Sequence, residues 1–134
     1  MASLGDYPAA AVLRAEDLVR AKKFYTDVLG LKPGDLSGPA SEGMGMFRAG
    51  DGTGVMIYER PGMPAPQNTA LGFGVPAGEF DGVIADLRAK GVTFEDYDLP
   101  EIGLKTVNGN AAFEGSKAAW FKDSEGNIVN MASM

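Results

Sequence analysis

The chain has no histidine and no cysteine among its 134 residues. An imidazole base, a thiolate nucleophile and a Cys/His zinc site are therefore closed to it. The remaining groups that could do chemistry are carboxylates, phenols, amides and large soft side chains. Asp96, Asp98 and Glu101 form an acidic group, but they lie in or beside a glycine-containing stretch that reads as a loop. Solvated loop acids are the simplest account of them, and no two carboxylates are spaced for acid–base work. Trp120, Tyr58, Asn130 and the methionines Met44, Met46 and Met56 fall in stretches that read as strands. Their chemistry is stacking, dispersion and a few directed hydrogen bonds, which suits holding a ligand better than transforming one.

The elements that must position these residues follow from pattern. Residues 9–15 are a short apolar run and read as a strand. Glu16 and Asp17 open a helix in which Leu18, Ala21, Tyr25 and Val28 recur at helical spacing, and Gly30 stops it. Residues 31–36 read as a strand and 37–43 as a loop. Residues 44–49 and 53–60 form a hairpin around Gly50, Asp51 and Gly52. Three prolines in residues 61–67 mark a linker. Beyond it, residues 68–75 read as a strand. Phe80, Val83, Ile84 and Leu87 define the cleanest helix, which ends at Gly91. Residues 92–97 read as a strand and 98–115 as a long loop of the kind that can serve as a lid. Residues 117–122 and 127–132 form a closing hairpin.

The two halves, 9–60 and 68–134, thus repeat one order of elements. Phe47, Arg48, Asp51, Gly52 and Val55 stand 74 residues before Phe121, Lys122, Glu125, Gly126 and Val129. This register supports an internal duplication. The length suits a single domain. At 45% hydrophobic and 22% charged, the chain can bury a core. A net charge of −6 with scattered basic residues argues against nucleic acid. No apolar run is long enough for a membrane span, and the first residues lack the pattern of a signal peptide, so a cytoplasmic protein is expected.

The stretch AEDLVRAKKFYTDVLGL resembles the helix-and-turn signature of the vicinal oxygen chelate superfamily, which includes glyoxalase I, extradiol dioxygenases, fosfomycin-resistance enzymes and bleomycin-binding proteins. AAWFKDSEGNIVNM is similar to its closing hairpin, with Ser124 where a proline is usual. The resemblance spans nearly the whole chain. It implies an α+β fold of two tandem βαβββ modules whose curved mixed sheets enclose a cavity. It also implies four metal-ligand positions, one on the first and one on the last strand of each module. Here these fall at Ala10, Met56, Ala70 and Asn130. Alanine has no donor, a thioether suits Cu(I) rather than divalent ions, and one amide oxygen is a weak ligand. Neither a metal nor any other cofactor is expected, and metal-dependent lyase, dioxygenase or thiol-transferase activity is not expected either.

Strand alternation then groups residues by face. With Asn130 facing the implied cavity, Ile128 and Ala132 share its face, while Val129 and Met131 face the helices. Met56 and Tyr58 point inward, opposite Val55 and Ile57. In metal-dependent relatives the residue ten before the last ligand lines the pocket, which is Trp120 here, and Met46 is its repeat partner. The expected ligand-binding set is Val12, Arg14, Met46, Met56, Tyr58, Trp120 and Asn130. For each residue a plainer reading stands beside this one. Trp120 is equally at home in a core, the methionines can fill a collapsed cavity, and Arg14 can be solvated. Tyr25 reads as core, and Glu59 with Arg60 as an exposed end. The expected function is metal-independent binding of an apolar or aromatic small molecule, an antibiotic or a metabolite, by a homodimer of the bleomycin-binding type. The alternatives are a metal-independent isomerase or lyase using Tyr, Asn or carboxylate groups, and a structural or partner-binding protein without a ligand site.

Overall fold

A computed structural model describes residues 3–34, 42–113 and 115–133. The chain forms two compact units, Met1–Pro64 and Ala65–Met134. The boundary falls inside the proline-containing stretch.

The first unit runs β1 (Ala11–Ala15), α1 (Leu18–Lys23), a π-helical turn (Phe24–Val28), β2 (Lys32–Pro33), β3 (Met44–Arg48) and β4 (Gly54–Glu59). Its sheet has the order β1-β4-β3-β2. The β1/β4 pair is parallel and the other two are antiparallel. The parallel pair needs a crossover, and α1 supplies it. The helix starts where Asp17 accepts the Arg20 N–H at 3.1 Å. Glu59 adds a second cap, accepting the Leu18 N–H at 2.8 Å. Glu59 is thus exposed, as expected, yet it satisfies one of the otherwise open donors at a helix start. Gly30 ends the helical segment at φ 77, a conformation that favours glycine. The core is the sheet face bearing Phe47, Val55 and Ile57 together with Leu18, Ala21 and Tyr25. Tyr25 is fully buried, and its ring lies 5.8 Å from that of Phe47. Residues 35–41, with the end of the strand expected over 31–36 and most of the expected 37–43 loop, lie outside the described residues.

The second unit runs β5 (Thr69–Val75), α2 (Phe80–Ala89), β6 (Asp98–Leu99), β7 (Leu104–Lys105), β8 (Ala111–Phe113), β9 (Ser116–Lys122) and β10 (Ile128–Ser133). Its main sheet has the order β5-β10-β9-β8, with β5/β10 parallel. Neither four-stranded sheet closes on itself, since β1, β2, β5 and β8 are edges. Phe80, Ile84 and Leu87 of α2 are buried, as are Ala119, Phe121, Val129 and Met131 on one face of the sheet. No helix among the described residues is long and apolar enough to cross a membrane.

Two expectations need correction here. Residues 92–97 form no strand ladder. Their backbone meets β9 at the Phe94–Phe121 bridge and through the Glu95 N–H donating to the Trp120 carbonyl at 2.8 Å. Val92 and Phe94 are buried, but Tyr97 pairs instead with Thr106, whose N–H donates to its carbonyl at 2.8 Å. That competing pair draws the chain away from β9. The stretch read as one long loop, 98–115, holds the β6–β7 hairpin and the edge strand β8.

Candidate functional site

Within the first unit the register brings Val12, Arg14, Met46, Met56 and Tyr58 to one face. Val12 is level with Met56, Arg14 with Tyr58, and Met46 with Met56. The opposite face carries the buried Val55 and Ile57. Met46 fills space: a Cβ built on Gly34 would meet its Cγ at 2.9 Å, and one on Gly54 its Cε at 3.3 Å. Its side chain therefore lies in a slot that two glycines leave open. Arg14 is not the solvated residue of the plainer reading. It is 9% exposed, and its Nε donates to the Met63 carbonyl at 2.8 Å. Arg60 stands 5.9 Å from the Tyr58 ring centroid, a cation–π distance.

The implied metal positions lie in or beside strands of the two sheets. Ala10 precedes β1, and the residue level with Met56 is Val12. In the second unit Thr69 pairs with Ile128 and Leu71 with Val129, so Ala70 is an extra residue at a bulge. The residue level with Asn130 is Gly72. Val12 and Gly72, the residues level with Met56 and Asn130, carry no donor either. Among the described residues no group of three or more His, Cys, Asp or Glu could hold a metal ion. A divalent centre needs about three protein ligands, and Ala10, Met56, Ala70 and Asn130 do not supply them.

Within the second unit Asn130 pairs with Trp120 on one side and Gly72 on the other. The outward face thus runs from bare glycine on β5, through an amide on β10, to an indole on β9. Strands stand about 4.8 Å apart, so this row spans about 10 Å, the width of a two-ring ligand. Trp120 is half-buried rather than a core residue. Its ring meets Tyr97 edge-on at 5.8 Å and 80°. Asn130 donates from Nδ2 to the carbonyls of Ala119 and Met131, both at 3.3 Å.

Tyr97 is the residue that the sequence reading missed. Alternation from the core residue Phe94 was the available signal, since it turns Glu95 and Tyr97 the other way. Tyr97 also lines a cleft of about 350 Å³ with Pro66, Gln67, Glu95, Lys122 and Ile128. Glu95 and Lys122 form an ion pair there at 3.7 Å. Burial, and secondarily the Glu95 charge, pushes the Tyr97 phenol above its ordinary value, so it keeps its proton near neutrality.

Tyr97 is held by a chain of hydrogen bonds. Its N–H donates to Thr106 Oγ1 at 2.7 Å, and the Thr106 hydroxyl donates to Asp96 Oδ1 at 2.8 Å. The Gly109 N–H donates to the same oxygen at 2.8 Å. Asp96, read as a solvated loop acid, is exposed but organises the loop. The Gly109 N–H bond, then the Thr106 hydroxyl, hold its carboxyl below the ordinary carboxylate value. A depressed folded-state value means a contribution present above the ordinary value and lost as pH falls through the lowered one. Hydrogen exchange at the Gly109 amide should therefore be protected uniformly down to mildly acidic pH and lose protection below the carboxylate range. Asp96→Asn should abolish that pH step. Equal steps in both proteins would refute the role of this carboxylate.

The family profile described as Glyoxalase/Bleomycin resistance protein/Dioxygenase superfamily matches residues 8–131. A search of curated proteins finds no significant match. Among solved structures, a glyoxalase/dioxygenase from Nostoc punctiforme is similar at a TM-score of 0.70 and 14% identity, covering 99% of this chain and 95% of that one. The fosfomycin resistance protein FosX from Listeria monocytogenes is similar at 0.66 and 16%, covering 96% and 90%. The oxidase ChaP-H2 is similar at 0.67 and 21%, covering 96% and 93%. At such identities the structural likeness speaks for fold alone. With the profile match covering nearly its whole length, this chain belongs to the glyoxalase/bleomycin resistance protein/dioxygenase superfamily.

Proposed function

We propose that this protein binds a flat, largely apolar small molecule without a metal, with Trp120 and Asn130 as the contacts that matter most. The observation that carries this reading is the row Gly72, Asn130, Trp120 across three strands, with Tyr97 bracing the indole. A half-buried indole braced by a T-shaped tyrosine contact can stack on an aromatic ligand, worth about 0.5–1.5 kcal/mol beyond burial. Sequestration of an antibiotic or a metabolite is the biological form this takes, and a homodimer is the assembly proposed for it.

The chain has one tryptophan, so its fluorescence and indole resonance report this face alone. Titration with a panel of planar antibiotics and metabolites is expected to give at least one saturable response, unchanged by a chelator. Gly72→Leu is the sharpest variant. A Cβ there meets only Asn130 Oδ1, at an ordinary 3.7 Å, so the fold should stand. The longer side chain covers the open floor, and affinity should fall at least about tenfold, or about 1.4 kcal/mol. A uniformly flat response across the panel would end this proposal.

A further inference from the structure

Resting on the binding reading above, we infer that Asn130 selects for ligands that present a hydrogen-bond donor, as planar amidines and amino-heterocycles do, and against flat anions. Both bonds assigned to Nδ2 run to carbonyl oxygens, those of Ala119 and Met131 at 3.3 Å. Two carbonyls can be served only by the amino side of an amide, so they fix which way the group points. Both carbonyls draw on the Nδ2 hydrogens. Oδ1 is then left as the polar atom of Asn130 that meets a ligand. It accepts no hydrogen bond among the described residues and is not among their buried unpartnered atoms. The nearest group across the strand pair is Gly72, whose absent side chain leaves that oxygen uncovered.

An amide oxygen with no donor beside it attracts N–H groups and repels carboxylates. A carboxylate placed here would bring its oxygens against Oδ1 with no proton between them, and would forfeit its hydration. A planar cation with N–H groups meets Oδ1 directly and lays its ring along the row toward Trp120. The formal net charge of −6 favours the same sign at long range.

The test uses the intact protein and the single indole N–H resonance of Trp120. Three flat probes are titrated: benzamidinium, benzoate, and quinoline, which is neutral and carries no donor. Benzamidinium should shift the resonance saturably and bind at least about tenfold more tightly than benzoate. In Asn130→Leu, which matches the side chain in shape but lacks the oxygen, benzamidinium should weaken about tenfold while quinoline stays within about twofold. Equal binding of benzoate and benzamidinium by the unaltered protein would overturn the selectivity, whether or not the variant folds. An unchanged preference in folded Asn130→Leu would overturn the role of Asn130. In either case a quinoline response would leave the binding reading standing. If none of the three probes moves the resonance while the panel above still gives a saturable response, this inference fails alone; if the panel is flat as well, the binding reading fails with it.

Discussion

Asp123→Ala is expected to lower the unfolding free energy by about 2–4 kcal/mol, through the loss of charge-assisted hydrogen bonds to a buried carboxylate. Asp123 is 6% exposed and closes the turn between β9 and β10. Its Oδ1 accepts the Glu125 and Asn127 N–H groups at 2.8 Å each, and its Oδ2 accepts Asn127 Nδ2 at 2.9 Å. Gly126 completes the turn at φ 87. Bonds to a buried carboxylate contribute about 1.5–3 kcal/mol each, and removing it leaves the opposing donors desolvated. Urea denaturation measures this directly. Asp123→Asn, which keeps one acceptor oxygen, should fall between the two. A loss below about 1 kcal/mol for the alanine variant would show that the turn is held by other means. The consequence reaches the proposed site, because the same hairpin sets Trp120 opposite Asn130.

Gly109→Ala should be comparably damaging, at about 2–5 kcal/mol. Gly109 has φ +80, where a side chain costs about 1–2 kcal/mol. Its Cβ would stand 2.5 Å from Phe94 Cβ and 3.2 Å from Arg88 Nη2. Overpacking of this kind adds about 1–3 kcal/mol. Neither neighbour yields easily. Phe94 meets Phe121 edge-to-face at 5.6 Å, and Arg88 is engaged both by the Asn108 carbonyl and by the Phe94 ring. The chain must shift, and with it the Gly109–Asp96–Thr106 bonds that place Tyr97. Thermal unfolding reads the stability, and Trp120 emission should move to the red as Tyr97 leaves its ring. Stability within about 0.5 kcal/mol of the parent, with unaltered emission, would refute this account of the loop.

Much of the fold was legible in residue order, because hairpins and amphipathic helices are local. Leu18, Ala21 and Tyr25 lie within two turns of one helix, and their burial follows from spacing. Met56 and Tyr58 alternate with Val55 and Ile57 because a strand allows no other arrangement. The repeat at 74 residues needed only comparison of the chain with itself. What was not legible depended on partners far along the chain. Nothing near residues 92–97 shows that Thr106 captures Tyr97, or that Gly109 and Asp96 share a bond. Arg14 looks like a solvated strand residue until Met63, 49 positions later, supplies a carbonyl.

The site divides along the same line. Composition alone determined that no imidazole or thiolate exists to bind a metal, a matter of which atoms are present. Alternation determined which side chains could share a face. Only the tertiary structure decided that Val12 and Gly72, not Ala10 and Ala70, stand level with Met56 and Asn130, and that Tyr97 braces Trp120. Register between strands is set by bulges and by hydrogen bonds to distant residues, and one inserted residue such as Ala70 shifts it without leaving a mark in the local pattern.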